Sequence, residues 1–333
     1  MPDIFAQAFG DPEAYYDTIR GAVEGIVTAR GDYHAEFTRV DFSRLWMSRG
    51  EDSLPRVAIY TPPWPRTTIL FATDQDQPAT QIAGMEVLPD EVAVISFGAS
   101  DHLRTSAAAR WGGVSLSLED LAAIGKAISG RELMPPSFTH PVKPSTFVLS
   151  RLRNVHEAAG HLAKSAPDIL AKPEVARSIE EALVEAMVLC LARGETAGVR
   201  STHVHYATVI RRFEEFIRAN PGEPLYLSQL CAATGVSART LLAICHEHLR
   251  MGPKRYLVLR RMHFARRALL MADSAKTTVT EIATDFGFWE LGRFSVAYHS
   301  LFGETPSSSL RRTPDDPLPL ITAGSPWRLA ETA

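Results

Sequence analysis

One helical pattern is written twice between Leu225 and Arg312, and that doubling constrains the fold more than any other feature of the sequence. The first copy begins LSQLCAATGVSARTLLAICHEHL at Leu227, and the second begins VTEIATDFGFWELGRFSVAYHSLFG at Val279. Leu227, Leu230, Cys231 and Thr234 match Val279, Ile282, Ala283 and Phe286 at a constant offset of 52. Each set falls at i, i+3, i+4 and i+7, one face of a short helix. A glycine follows each set, Gly235 and Gly287, the residue that tolerates a sharp backbone reversal between two helices. From the second helix onward the offset is 53: Leu241 and Cys245 match Phe294 and Tyr298, Pro253 matches Pro306, and Leu257 matches Leu310. The pattern predicts two helix-turn-helix units in series, about 227–249 and 279–301, joined by a helix at about 253–271.

Net charge bears on what such units would touch. The whole chain carries 35 Lys+Arg against 38 Asp+Glu, a net of −3, which argues against a nucleic-acid partner. The distribution of charge argues the opposite. From His203 to Arg312 there are 15 Lys+Arg and 9 Asp+Glu, and Arg250 to Arg267 holds seven Lys and Arg with no acid. A basic module attached to an acidic partner is the footprint of a DNA-binding domain on something that is not one.

A length of 333 residues predicts two domains. Residues 1 to about 32 read as helical, from apolar Ala14, Tyr15, Ile19, Ala22, Val23 and Ile26. The texture then turns to strands separated by turn formers: 40–47, 56–60, 67–73, 91–97 and 113–118. Their spacing suggests an antiparallel sandwich or small barrel. After Leu118 the chain reads as helical, with Ser117 or Ser115 as cap, a stop near Gly130, and further helices at about 146–165 and 173–193. The fold class is α+β. Residues 1–195 form an N-terminal domain, β-rich at about 33–117 and helical at about 118–193. A linker at 196–202, an all-α domain at 203–312 and a flexible tail at 313–333 follow. No apolar run approaches a membrane span, the N-terminus carries acids rather than a basic leader, and Cys190, Cys231 and Cys245 have no zinc spacing. A reducing cytoplasm and no membrane partner fit.

The second helix of each unit is the one that enters a major groove. With Ser237 as N-cap, the outward residues of the first are Ala238, Arg239, Leu242, Ala243 and His246. With Glu290 as cap, those of the second are Leu291, Gly292, Arg293, Val296 and His299. Apolar members of these faces can meet thymine methyls but supply no bidentate hydrogen bonds, so Arg239 and Arg293 are the strongest base-reading candidates. Ser237, Lys254, Arg255, Arg260, Arg261 and Arg267 are the phosphate-contacting candidates. The connecting helix spans about 28 Å at ~1.5 Å per residue, enough to set two readers in successive major grooves.

These residues carry a resemblance. Leu227, Leu230, Gly235, Val236, Ser237, Arg239, Leu241, Pro253, Tyr256, Leu257, Arg261, Ala265, Leu269 and Leu270 make the first part of the match. Ile282, Ala283, Gly287, Phe288, Phe294, Ser295, Phe302, Gly303 and Pro306 complete it. From about Val204 to Arg312 the chain resembles the DNA-binding domain of AraC/XylS-family bacterial transcription regulators. Arg250 departs from the pattern, standing where the family commonly has glycine. The resemblance implies double-stranded DNA as partner, RNA polymerase as a second, activator function, and an N-terminal domain that senses a small-molecule effector or forms a homodimer. The texture of 33–117 is similar to the cupin-like sensing domains of such regulators.

For an effector, the aromatic and polar set includes Phe42, Trp46, Trp64, Phe71, Phe97, His102, Arg104 and Trp111, and the best candidates are Trp46, Phe97, His102 and Arg104. The helix at 173–193 offers an apolar stripe that suits either a dimer seam or its own domain. The competing reading is a cupin-like enzyme with an accessory helical domain. Against it, the β region holds no paired histidines, the HxH of His203 and His205 lies outside it, and no cysteine precedes Cys190. Neither a metal nor another cofactor nor a catalytic residue is assigned.

Overall fold

The computed structural model describes residues 1–62, 65–96, 100–196, 201–220 and 225–312. Trp64, Phe97, most of the expected linker and the expected tail at 313–333 lie outside the described residues.

The N-terminal part runs β1 (Asp3–Phe9), α1 (Pro12–Thr18), β2 (Ala22–Val27), β3 (Ala35–Asp41), β4 (Trp46–Asp52), β5 (Arg56–Tyr60) and β6 (Arg66–Ala72). It continues with β7 (Thr80–Ile82), β8 (Met85–Val87), β9 (Val92–Ile95), β10 (Asp101–Arg104) and β11 (Ala109–Ser117). Then come α2 (Leu118–Ser129), β12 (His140–Lys143), α3 (Thr146–Ser165), α4 (Pro167–Leu170), α5 (Pro173–Arg193) and β13 (Glu195–Thr196). The C-terminal part is helical: α6 (Ser201–Ala219), α7 (Leu227–Thr234), α8 (Ala238–Leu249), α9 (Pro253–Met271), α10 (Val279–Asp285), α11 (Leu291–Phe302) and α12 (Pro306–Leu310).

Among the described residues the strands form two antiparallel sheets. An eight-stranded sheet has the order β1-β3-β4-β11-β6-β9-β12-β13, and a five-stranded sheet has the order β2-β5-β10-β7-β8. Their side chains alternate between faces, as the two-residue period of a strand requires. Helices α2, α3 and α5 cover the outer face of the large sheet, where Leu149, Leu152, Leu183, Met187 and Cys190 share one core with Val94, Val114 and Val142. The apolar stripe of α5 is therefore buried within its own domain and offers no dimer seam.

Two sequence expectations are overturned. Residues 1–32 are not one helix: the apolar stripe belongs to seven-residue α1 and to β2, and Asp3–Phe9 pairs along its whole length with β3. Asp11 ends the strand and caps α1, accepting from the Ala14 amide at 3.1 Å, with Pro12 in the first turn. The run 40–47 is not one strand but a hairpin, since Asp41 pairs with Trp46 and the Phe42 amide donates to the Leu45 carbonyl at 2.9 Å. Buried Glu180 of α5 fastens that turn by accepting the Leu45 amide at 3.0 Å. Where local signals were strong the elements match: Ser117 caps α2 and Gly130 ends it at φ 72°.

His156 of α3 is fully buried against Phe71, and its Nε2 donates to the Ser48 carbonyl at 2.9 Å. Burial pushes its pKa down to about 3. The unfolded chain therefore takes up this proton first as the pH falls. The neutral ring's contribution is complete above the ordinary value of 6.5 and is lost toward about 3. Urea titrations between pH 7 and pH 5 are expected to show this group costing up to about 1.4 kcal/mol per pH unit. His156→Gln, which keeps a donor, removes that increment. An unchanged slope in the variant would show that the acid sensitivity arises elsewhere.

Candidate DNA-binding face and the contacts behind it

Each unit is built by the same local devices. Helix α7 ends at Gly235 with φ 73°, a left-handed turn that a side chain disfavours. Ser237 then caps α8, its Oγ accepting from the Thr240 amide at 3.2 Å. In the second unit Thr278 and Glu281 form a reciprocal capping box at the start of α10, and Gly287 turns the chain at φ 75°. Arg250, where glycine was expected, does adopt the left-handed conformation, at φ 53°.

The inward faces of the readers are core. Leu241, Ile244, Cys245, Phe294 and Tyr298 are buried, and burial raises the Cys245 thiol to about 12, leaving it inert. The outward faces are open: Ala238, Arg239, Leu242, Ala243 and His246 on α8, and Gly292, Arg293, Val296 and His299 on α11, are exposed, with Leu291 half-buried. Glu290 does not cap α11 with its side chain; it pairs with Arg293 at 2.8 Å. Trp289, in the turn before α11, is a candidate that the helical pattern does not single out, although it is 72% exposed. An aromatic residue in a turn, outside every apolar stripe, is its signal in the sequence.

The phosphate-contacting candidates divide. Ser237, Lys254 and Arg255 are exposed. Arg260 is 3% exposed and is clasped between Glu24 of β2, at 2.7 Å, and Glu214 of α6, at 3.2 Å. Arg261 is partly buried, stacks on Phe288 and donates to the Leu257 carbonyl at 3.4 Å. Arg267 pairs with Asp17 of α1 at 2.7 Å. In this structure Arg260 and Arg261 therefore face protein, while Arg267 is exposed but already paired with the N-terminal domain. The reason is that α9 is covered on two sides: its apolar stripe lies in the helical core, and its charged stripe lies on the N-terminal domain.

That second contact is a buried ion cluster. Arg266 donates to Asp11 at 2.6 Å, to Glu13, and to Glu304 at 3.1 Å. His263 meets Glu13 at 3.2 Å and the Val27 carbonyl at 3.2 Å. Burial would raise Glu13, but Arg266 and His263 outweigh it and hold the carboxyl at about 2. His102 of β10 joins Glu214 at 2.9 Å, and Ile26 and Val57 add apolar contact to the helical core. Gly84, at φ 79° in the β7–β8 turn, lies so near His248 of α8 that a Cβ there would sit 2.3 Å from the imidazole.

Behind this wall the two sheets enclose an open-mouthed cavity. Phe37, Trp46, Leu70, Leu103 and Trp111 line its apolar walls, and Arg20, Arg39 and Asp41 cluster among its polar groups. The Arg20 and Arg66 guanidiniums lie 4.5 and 4.0 Å from the Trp46 ring. Of the four effector candidates Trp46 lines this cavity. His102 does not; it is buried in the domain contact. Arg104 does not either, and bonds Gln81 at 3.2 Å. Leu103 between them points inward, so strand alternation sends both neighbours the other way. Among the described residues no group of three or more His, Cys, Asp or Glu is placed to hold a metal ion, and no single helix is long and apolar enough to cross a membrane.

Residues 230–312 match a family model described as a helix-turn-helix domain. The chain is 30% identical over 199 residues to a probable thc operon regulatory protein of Rhodococcus erythropolis, covering 60% of this chain and 59% of that one. It is 34% identical over 113 residues to XylDLEGF operon transcriptional activator 3 of Pseudomonas putida, covering 34% of each. It thus spans less than two thirds of these relatives. A structure described as the AraC-like transcriptional activator CuxR aligns with 77% of this chain and 94% of its own, at 15% identity and a TM-score of 0.42.

Proposed function

We propose, from the likeness of its C-terminal domain to helix-turn-helix regulators of the AraC/XylS type, that the whole chain is a sequence-specific transcription regulator controlled through its N-terminal domain. The family is one of transcription regulators, generally non-enzymatic, so the activity proposed is binding. The observation that carries the reading is the pair of reader helices, α8 and α11, whose outward faces are exposed while a 19-residue helix joins their units. At ~1.5 Å per residue that helix is about 28 Å long, close to one turn of duplex DNA.

The control element in this proposal is the wall between cavity and readers. Its members each have two sides. Tyr16 of α1 lines the cavity while Glu13 holds Arg266 and His263; Leu103 of β10 lines it while His102 holds Glu214; Ile82 of β7 lines it beside the turn that abuts His248. A small molecule with an apolar body and a polar end suits the lining. By moving these thin elements it would change how α8 and α9 are held, which is the differential contact a regulatory ligand needs.

Footprinting of the full chain on genomic fragments tests the DNA reading. Two protected patches are expected about ten base pairs apart on one face of the duplex. Affinity should fall with salt, log K against log salt having a slope of about −0.9 per phosphate neutralised. A single short patch would leave only one unit as a reader, and no protection at all would overturn the proposal.

A further inference from the structure

The two reader faces are chemically unequal. The first presents Arg239, an exposed guanidinium, beside Leu242, which is 39% exposed. On the second, Arg293 lies against Glu290, its Nε 2.8 Å from the carboxylate, so its charge is partly answered before any DNA arrives. Beside that pair two large apolar side chains are also left open: Val296 at 69% and Trp289 at 72% exposure. Both stand clear of the buried aromatic core of this unit, and neither exposure is explained by packing.

Their positions are those of a reading surface. Trp289 stands two residues before α11, at the end of the helix whose first residues meet base edges. Gly292 is in the first turn, and nothing lies within 4 Å of where its Cβ would be, so the helix backbone can come close to a groove floor. Val296 follows four residues later, on the same face. A valine can neither donate nor accept a hydrogen bond, and an indole has a single donor. The base feature such groups can distinguish in the major groove is the thymine C5-methyl. Removing exposed aromatic surface from water adds affinity at the same contact.

We propose that the second unit specifies its half-site through thymine methyl groups, with Val296 and Trp289 as the specificity-determining residues. This rests on the DNA-binding reading above. The first unit, with Arg239, has the hydrogen-bonding capacity to read guanine.

The test uses the unaltered full chain. A random duplex pool is selected on the protein, and both patches of the recovered sequence are mapped by footprinting. Each thymine of the α11 half-site is then replaced by deoxyuridine, which removes only the methyl. At one or more positions binding is expected to weaken about 4-fold, the worth of one buried methyl. Val296→Ala or Trp289→Ala should weaken binding to the thymine duplex and erase its advantage over the uracil duplex. Both side chains are exposed, so folding is preserved. Equal binding of thymine and uracil duplexes across that half-site would overturn the proposal while leaving the DNA-binding reading intact. Recovery of no duplex would overturn the DNA-binding reading, and this proposal with it.

Discussion

Replacing Arg266 by alanine is expected to destabilise the protein by about 3–5 kcal/mol, the cost of leaving buried charge without its partner. The guanidinium is 5% exposed and faces Asp11, Glu13 and Glu304, which are 14, 12 and 6% exposed. Without it three carboxylates share a space closed to water. Arg266→Lys keeps the charge but not the planar fork, and should recover only part of the loss. The comparison that isolates burial is Asp17→Asn, which removes the exposed partner of Arg267. That pair is 47 and 55% exposed, and its loss should cost less than about 1 kcal/mol. Acid shifts the balance in a defined direction. Glu13, held at about 2 against an ordinary value of 4.5, contributes stability that is present above 4.5 and lost as the pH falls toward 2. In Arg266→Ala Glu13 loses the charge that lowers its pKa, so the variant's deficit should shrink as the pH is lowered from 7. Urea midpoints across that range measure it. A deficit below about 1 kcal/mol at neutral pH would mean that the cluster does not hold the domains together.

Phe294→Ala is the second large effect. Phe294 is 2% exposed, its ring 4.9 Å from Phe288 and 5.5 Å from Tyr298, and Tyr298 stands 4.7 Å from Phe302. Emptying such a site costs about 3–5 kcal/mol, the lost transfer free energy plus the cavity left behind. The chain of rings is what seats α11 with its outward face turned away from the core. The footprint is therefore expected to lose the patch belonging to the second unit while the first persists. Val296→Ala, on the opposite face of the same helix, should change stability by less than about 0.5 kcal/mol. Normal stability and two intact patches in Phe294→Ala would show that this cluster does not support the reader.

The parts of the fold that were legible in the sequence are those decided within one element or across one turn. Helices α3 and α5 lie where the apolar periodicity placed them, since some twenty residues of helix repeat the pattern many times over. The division of α8 and α11 into buried and open faces was legible for the same reason. In residues 1–32 the pattern was too short. An apolar stripe of six positions read as one helix, but a register with β3, some thirty residues distant, claimed the first strand. Hydrophobic spacing over so few residues does not distinguish a helix from a strand that has found a partner.

The site divides along the same line. That the chain ends in two helix-turn-helix units, capped at Ser237 and turned at Gly235 and Gly287, was determined by the sequence, because caps and left-handed turns depend on residues a few positions apart. So was the charged stripe of α9. What that stripe touches was decided by tertiary structure. An arginine satisfies its charge equally well on a phosphate or on a carboxylate, and nothing local says which will be near. The acids that hold Arg266 are separated from it by 253 and 255 residues on one side and by 38 on the other. The same holds for His102, whose Glu214 partner lies 112 residues away, and for the cavity side chains gathered from seven or more strands. Folding brings such groups together only after local structure has formed, so their chemistry is written in the sequence residue by residue while their partners are not.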